Sequence, residues 1–327
     1  MHVPDHFLSD PVSATTAVAA GAAVLGAAVR ARRDRAHAPH PAMIGATTAA
    51  VFGLQMLNYP VGAGTSGHLM GGALAAALLG PAWGILSVTV VLAVQSLVFA
   101  DGGLTALGTN TLLMAVVGTL VGWAVARGVV ATVRRRTSDP DVRALAPAAA
   151  GVGGAAGVLA AALLFVGLYA TGGTVDVPLG ALAGQMLGVH LLIGAGEAVI
   201  TGAVVAVVVA VRGSVDALAA PDGTPARAGG LAPAGVLTGI AALAALVLSG
   251  VASGAPDGLE ATAERTGFAG AARDHALAGM PLADYGEVGG IVVGVAGAVG
   301  VVLCLVIATG LGAAWARART EAVPAGA

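Results

Sequence analysis

The sequence predicts an all-α polytopic membrane protein of about nine transmembrane helices, built as a seven-helix bundle followed by a two-helix C-terminal module. Of its 327 residues, 57% are hydrophobic and only 10% are charged, whereas soluble domains carry roughly 25% charged residues. The mean hydropathy is +0.91. The 51 glycines favour close helix packing in lipid, because small residues let helix backbones approach one another.

Nine apolar runs are long enough to cross or nearly cross the hydrocarbon core, which requires about 20 residues for an upright helix. They cover residues 12–30, 42–60, 68–81, 82–100, 103–130, 144–170, 187–211, 231–252 and 288–314. Runs three and four meet at Gly80-Pro81. A single helix through both would be about 50 Å long at ~1.5 Å per residue, so two spans are expected.

The arginines orient these spans. With the N-terminus outside the cell, the predicted cytoplasmic segments and their helix ends hold thirteen of the fifteen arginines, as the positive-inside rule requires. Residues 1–11 contain no Lys or Arg, so no basic signal-peptide region precedes the first run. We therefore expect an uncleaved first helix, an extracytoplasmic N-terminus and a cytoplasmic C-terminus in the cell membrane.

The chain contains no lysine. This excludes a Walker A motif, whose lysine contacts the phosphates, and it excludes Schiff-base chemistry. Any transport driven by ATP therefore needs an ATPase on another subunit. The single Cys304 lies in an apolar run, so no intramolecular disulfide exists.

The chain divides at a polar segment rich in Pro, Gly and Ala. Residues 213–230 read as a flexible cytoplasmic linker. Residues 1–212 form the predicted seven-helix domain, and residues 231–327 form the two-helix module with an extracytoplasmic loop.

The first two residues offer three nitrogens in sequence: the Met1 amine, the His2 amide and the His2 imidazole. Such fused chelate rings are nearly planar, a geometry that suits Cu(II) and Ni(II) and can also hold Co(II). His68, at the predicted outer end of the third span, could supply a fourth nitrogen. The alternatives are a disordered terminus and an interfacial histidine that caps a helix.

Further polar residues could surround such a site. His6 and Asp5 could ligate or orient the imidazoles, although Asp5 and Ser9 also suit a turn and a helix N-cap. His190 and Glu197 share one helix face and could relay protons, bind a cation or form a hydrogen-bond network between helices. The remaining candidates are Ser66, Asn110 and Gln95, while Asp101 is expected in an outer turn.

The N-terminal motif Met1–Ser9 (MHVPDHFLS) resembles the start of the substrate-binding S components of energy-coupling factor (ECF) cobalt and nickel transporters, the CbiM/NikM family. Segments 64–69, 99–110 and 190–202 are similar to other signatures of that family and occur in the same order. Residues 256–260 (PDGLE) resemble the signature of its small two-helix partner subunit, here fused in one chain as in NikMN-like proteins.

The resemblance implies a seven-helix S component whose N-terminal segment enters the pocket. It implies metal binding by the Met1 amine, the His2 amide and imidazole nitrogens, and His68. His6 replaces a glycine, which removes backbone freedom and could add a ligand. The implied partners are a transmembrane T component, cytoplasmic ABC ATPase subunits and membrane lipid, with Co(II) or Ni(II) as the substrate and no catalytic cofactor. The loop 253–287 is expected over the mouth of the pocket.

Two other functions stay open at this stage. An intramembrane enzyme could use His190 and Glu197 as an acid–base pair, in which case Met1 would be irrelevant. An S component for a small organic substrate would need an aromatic-lined pocket, and aromatic residues make up only 3% of the chain. No nucleic-acid partner is expected.

Overall fold

The computed structural model describes residues 1–34, 38–137, 141–212, 218 and 231–320. Each of the nine apolar runs contains a helix within these residues, which confirms the all-α polytopic membrane class. The helices of the first domain are α1 (Asp10–Arg33), α2 (Pro41–Gln55), α3 (Gly72–Leu79), α4 (Pro81–Val98), α5 (Leu107–Arg136), α6 (Val142–Gly172) and α7 (Leu179–Arg212). The C-terminal module contributes α8 (Leu231–Leu246), α9 (Gly258–Thr266) and α10 (Val293–Thr320).

Six of the described helices are long and apolar enough to cross a membrane, namely α1, α4, α5, α6, α7 and α10. Helices α2 and α8 contain 15 and 16 residues and are shorter than the roughly 20 residues of an upright span. Within α5, residues Thr111–Val117 form a π-helical segment.

The third apolar run differs from the expected helix. The antiparallel strands β1 (Tyr59–Gly62) and β2 (Thr65–Gly67) precede it, and α3 contains only 8 residues. Gly71 at its N-cap has a φ of 78°, a left-handed conformation that glycine adopts without the steric cost of a Cβ. The segment 68–71 is therefore non-helical, and we call it the re-entrant segment.

The helices of residues 231–320 pack directly on those of residues 1–212. Helix α2 contacts both α8 and α10. A Cβ added at Gly53 would lie 2.8 Å from the Ala241 carbonyl oxygen of α8, and one at Gly45 would lie 2.7 Å from the Leu305 carbonyl oxygen of α10. These glycines permit the close helix approach that stabilises membrane bundles. The predicted linker 213–230 lies outside the described residues, apart from residue 218.

Helix α1 begins where the sequence suggests, but without the expected cap. Ser9 occupies the N-cap position and its side chain makes no capping hydrogen bond. Asp10 in the first turn and three arginines in the last turn instead complement the helix dipole.

Candidate metal centre

The N-terminal segment lies inside the bundle. Met1 is 4% exposed and Val3 is fully buried. Asn110 of α5 accepts a hydrogen bond from the Val3 amide at 2.7 Å and donates one to the Val3 carbonyl at 3.1 Å, and the Gly103 amide donates to the same carbonyl at 2.9 Å. A buried main chain requires such partners. The structure therefore shows an ordered terminus, and Asn110 orders it.

Asp5 attaches this segment to the loop between α4 and α5. Its carboxylate accepts hydrogen bonds from the Leu104 amide at 3.1 Å, the Thr105 amide at 2.7 Å and the Thr105 hydroxyl at 2.5 Å. A Cβ at Gly103 would collide with the Asp5 main chain. Asp5 therefore lies in a turn, as one of the two interpretations expected, and its carboxylate holds that turn against the loop between α4 and α5.

His6 adopts a φ of 73°, the left-handed conformation that a glycine would take at lower cost. Its carbonyl accepts a hydrogen bond from the Thr174 hydroxyl at 2.7 Å. Among the described residues its buried Nδ1 has no hydrogen-bond partner. The backbone at His6 turns the chain between the buried terminus and α1.

The structure brings Met1, His2 and His68 together. The Met1 amine lies 2.5 Å from the His68 Nε2. The His68 Nδ1 lies 2.9 Å from the Leu69 carbonyl, to which it donates, so the Nε2 lone pair is free to face the amine. The His2 and His68 rings stack with centroids 5.1 Å apart and an interplanar angle of 20°. His68 is therefore a pocket residue, not a helix cap.

Two side chains orient His2. Its Nε2 lies 3.1 Å from the Gln95 amide oxygen and its Nδ1 lies 3.4 Å from an Asp101 carboxylate oxygen. Burial lowers the pKa of His2 to about 4 and outweighs the opposing effect of Asp101. The ring is therefore neutral at pH 7, the state that binds metals.

Asp101 and Tyr285 close the pocket beside His2, and sequence reasoning assigned neither of them to it. The Tyr285 hydroxyl donates to the Asp101 carboxylate at 2.6 Å. Burial and the charge of Asp101 raise the pKa of Tyr285 well above its ordinary value, so the phenol remains a donor. The turn-like Asp-Gly-Gly sequence concealed the role of Asp101.

A second acidic residue reaches the pocket from the C-terminal module. One Asp257 carboxylate oxygen lies 2.9 Å from the Met1 amine and 3.6 Å from the His68 Nε2. Burial raises the pKa of Asp257, but the Met1 charge and the neighbouring His68 together hold it well below its ordinary value. The PDGLE sequence marked this residue as part of a motif without indicating where it lies.

Ser66 serves the same junction. Its hydroxyl donates to the Ala255 carbonyl at 2.7 Å and its amide donates to the Pro256 carbonyl at 2.9 Å. Ser66 therefore positions the PDGLE loop beside the re-entrant segment. Among the described residues, its hydroxyl makes no hydrogen bond to His68.

Glu197 and His190 on α7 have separate environments. The Glu197 carboxylate accepts hydrogen bonds from the Met70 amide at 2.5 Å and the Gly71 amide at 3.0 Å, so it holds the re-entrant segment. The His190 Nδ1 donates to the Met186 carbonyl at 2.8 Å, and its buried Nε2 has no partner among the described residues. The hydrogen-bond-network interpretation is correct for Glu197.

Within the described residues, no group of three or more His, Cys, Asp or Glu side chains is arranged to hold a metal ion. The predicted ligand set uses only two side chains, those of His2 and His68. Its other donors are the amine of Met1 and the main-chain amide of His2.

The fold and the site define a multi-pass helical membrane protein that buries a potentially chelating N-terminus in its bundle. The chain belongs to the CbiM family, described as the cobalt uptake substrate-specific transmembrane region, whose family model matches residues 2–215. A PDGLE domain model matches residues 232–317. Both matches confirm the resemblance drawn from the sequence motifs.

The relatives include transport proteins with the same fusion. The chain is 44% identical over 129 residues to a putative fused nickel transport protein NikMN of Archaeoglobus fulgidus, a match that covers 39% of this chain and 42% of the relative. It is 36% identical over 168 residues to the fused nickel transport protein NikMN of Rhodobacter capsulatus, covering 50% and 45%. The matched regions thus span less than half the length of these two curated relatives.

Solved structures are also similar to this chain, among them the following one. It is described as a transition metal transporter, shares 30% sequence identity with this chain and superposes with a TM-score of 0.52. The match covers 65% of this chain and 95% of the solved chain.

Proposed function

We propose that this protein captures Co(II) or Ni(II) at the extracytoplasmic face of the cell membrane. In this proposal it delivers the ion inward as the substrate-specific subunit of an ATP-driven ECF-type transporter. The main support for this proposal is that the Met1 amine, the His2 ring and the His68 ring lie together in one buried pocket. The names of the fused nickel transport relatives favour the same substrate class.

The proposed ligands are four nitrogens: the Met1 amine, the His2 amide, the His2 imidazole and the His68 Nε2. A planar nitrogen set suits Ni(II), and the same donors accept Co(II). The Leu69 carbonyl fixes the tautomer of His68, a common way of orienting a metal-binding histidine. His6, Ser66, Asn110, His190 and Glu197 are proposed to support the site.

The proposed coupling needs other subunits. Because the chain has no lysine and therefore no Walker A motif, cytoplasmic ABC ATPases would supply the energy, and a T component would link them to this subunit. The arginine distribution supports an extracytoplasmic N-terminus and a cytoplasmic C-terminus.

The rival functions gain no support from the geometry. An acid–base enzyme would need Glu197 free to exchange protons with a substrate, whereas its carboxylate is occupied by two main-chain amides. A small organic ligand would need room in the pocket, whereas the Met1 amine lies directly against His68.

Metal analysis of the purified protein tests the proposal. We expect about one Ni(II) or Co(II) per wild-type chain, and little metal in His2→Ala and His68→Ala, since each variant removes one of four ligands. His40→Asn is the matched control, because His40 is an exposed N-cap residue and asparagine is a favourable cap. Equal metal in all four proteins would contradict the proposal. Sequencing of the purified N-terminus tests whether Met1 carries the free amine that the proposal requires.

A further inference from the structure

We propose that Asp257 is an oxygen ligand for the incoming metal ion and passes it to the nitrogens of Met1, His2 and His68. This inference rests on the proposed function, and it assigns to the C-terminal module a group inside the binding site of the seven-helix domain. The ligand class is a divalent transition metal cation.

The first argument is position. The Asp257 Oδ2 is the carboxylate oxygen that approaches the site, 2.9 Å from the Met1 amine and 3.6 Å from the His68 Nε2. The side chain of Asp257 is 11% exposed and that of Met1 is 2% exposed. An ion held by this oxygen would already adjoin two of the proposed nitrogen ligands, so transfer would need no step through bulk water.

The second argument is that the two carboxylate oxygens have different partners. The Oδ1 of Asp257 accepts hydrogen bonds from the Leu259 and Glu260 amides at 2.7 and 2.9 Å and so caps α9. Asparagine or serine would cap equally well, so the fold does not require a charge there. Burying a charge is costly unless it is paired, and among the described residues the Oδ2 is paired with Met1 and His68 of the candidate metal centre.

The third argument is that the carboxylate is fixed relative to His68. Ser66 binds the main chain at Ala255 and Pro256, directly before Asp257. Arg265 on α9 donates to the Ala63 carbonyl at 2.7 Å and the Thr65 hydroxyl at 2.8 Å. The helix that Asp257 caps is thereby attached on two sides to the strand pair that leads to His68.

The donor chemistry gives the transfer a direction. A carboxylate oxygen binds a hydrated divalent cation readily, whereas the chelating nitrogens suit Co(II) and Ni(II) better as final ligands. Metal entry must also break the 2.9 Å contact between the Met1 amine and Asp257, because the amine nitrogen can ligate only through a lone pair that faces the metal. A divalent cation bound to one deprotonated amide keeps one net positive charge. The Asp257 carboxylate offsets this charge, which would otherwise be unpaired in a buried site.

Rapid mixing of the metal-free full-length protein with Ni(II) tests this role, with loading followed by the ligand-field absorption of the bound ion. Asp257→Asn keeps the Oδ1 cap and replaces the Oδ2 by an NH₂ group that cannot ligate a cation. We expect its loading rate constant to fall by about tenfold or more, by comparison with the ~10–100-fold effects of residues that support metal ligands. Asp257→Ser, which also caps, should load as slowly.

Two controls make the result decisive. Glu264→Gln alters an exposed carboxylate on the same helix and should load at the wild-type rate. His68→Ala should bind no nickel, which tests the proposed function separately. If His68→Ala binds no metal while Asp257→Asn and Asp257→Ser load at the wild-type rate, Asp257 is not a transfer ligand and this inference is overturned. If His68→Ala loads normally, the proposed function itself fails.

Discussion

Replacing Glu197 by Gln is expected to weaken metal binding although Glu197 is not a proposed ligand. The Glu197 carboxylate accepts hydrogen bonds from the amides of Met70 and Gly71, which lie two and three residues after His68. A glutamine can accept one of these bonds through its oxygen. Its NH₂ group would face the other amide, so one buried N–H would lose its partner.

The size of the effect follows from these two bonds. A hydrogen bond to a charged group contributes about 1.5–3 kcal/mol, and a buried donor without a partner costs about 1–3 kcal/mol. We therefore expect the re-entrant segment to lose about 2–3 kcal/mol of stability. A less rigid His68 should lower the nickel affinity by about 10–100-fold, as for other residues that orient metal ligands.

Competition between the purified protein and a chelator of known affinity measures this loss, and thermal denaturation in the same detergent reports stability. Ser87→Ala is the control, because Ser87 is a buried residue of α4 whose hydroxyl has no partner among the described residues. An unchanged nickel affinity in Glu197→Gln, together with an unchanged melting temperature, would refute the claim that Glu197 positions His68.

Three further predictions concern the N-terminal segment. His6→Gly should raise the free energy of unfolding by about 1 kcal/mol. His6 has a φ of 73°, and a left-handed backbone conformation costs a non-glycine residue roughly that amount. A lower free energy of unfolding, measured by reversible denaturation, would contradict this prediction. Gly103→Ala should reduce nickel affinity by about tenfold, because the added Cβ would clash with Asp5 at a cost of ~1–3 kcal/mol. Gly128→Ala should leave the affinity unchanged, because no atom lies within 4 Å of the Cβ added there. Nickel affinity should rise with pH by about one power of ten per unit near pH 7, because the His2 amide releases one proton when it binds the metal and the His2 imidazole, with a pKa of about 4, is already neutral. An affinity that does not change with pH would exclude the His2 amide as a ligand.

Much of the fold was predictable because helices in lipid must satisfy their own backbone and so appear as apolar runs. The convergence of Met1, His2 and His68 in one pocket was expected from the N-terminal motif and the resemblance that it carries. Their role as ligands stays a prediction.

The remaining features depend on tertiary contacts that hydropathy does not encode. The re-entrant segment lies in an apolar run and looks helical, but Glu197 on a distant helix satisfies its amides and stabilises the non-helical backbone. The approach of Asp257 to Met1 joins opposite parts of the chain. The packing of the C-terminal module against α2, α7 and β2 brings them together.

The central claim is that the free amine of Met1 is a metal ligand. One residue added before Met1 converts this amine into an amide and removes its ion pair with Asp257, and the same residue added after Ala327 is the matched control. Metal analysis should find about one nickel per chain in the wild type and the C-terminal extension, and almost none in the N-terminal extension. Stoichiometric nickel of wild-type affinity in the N-terminally extended protein would contradict the account.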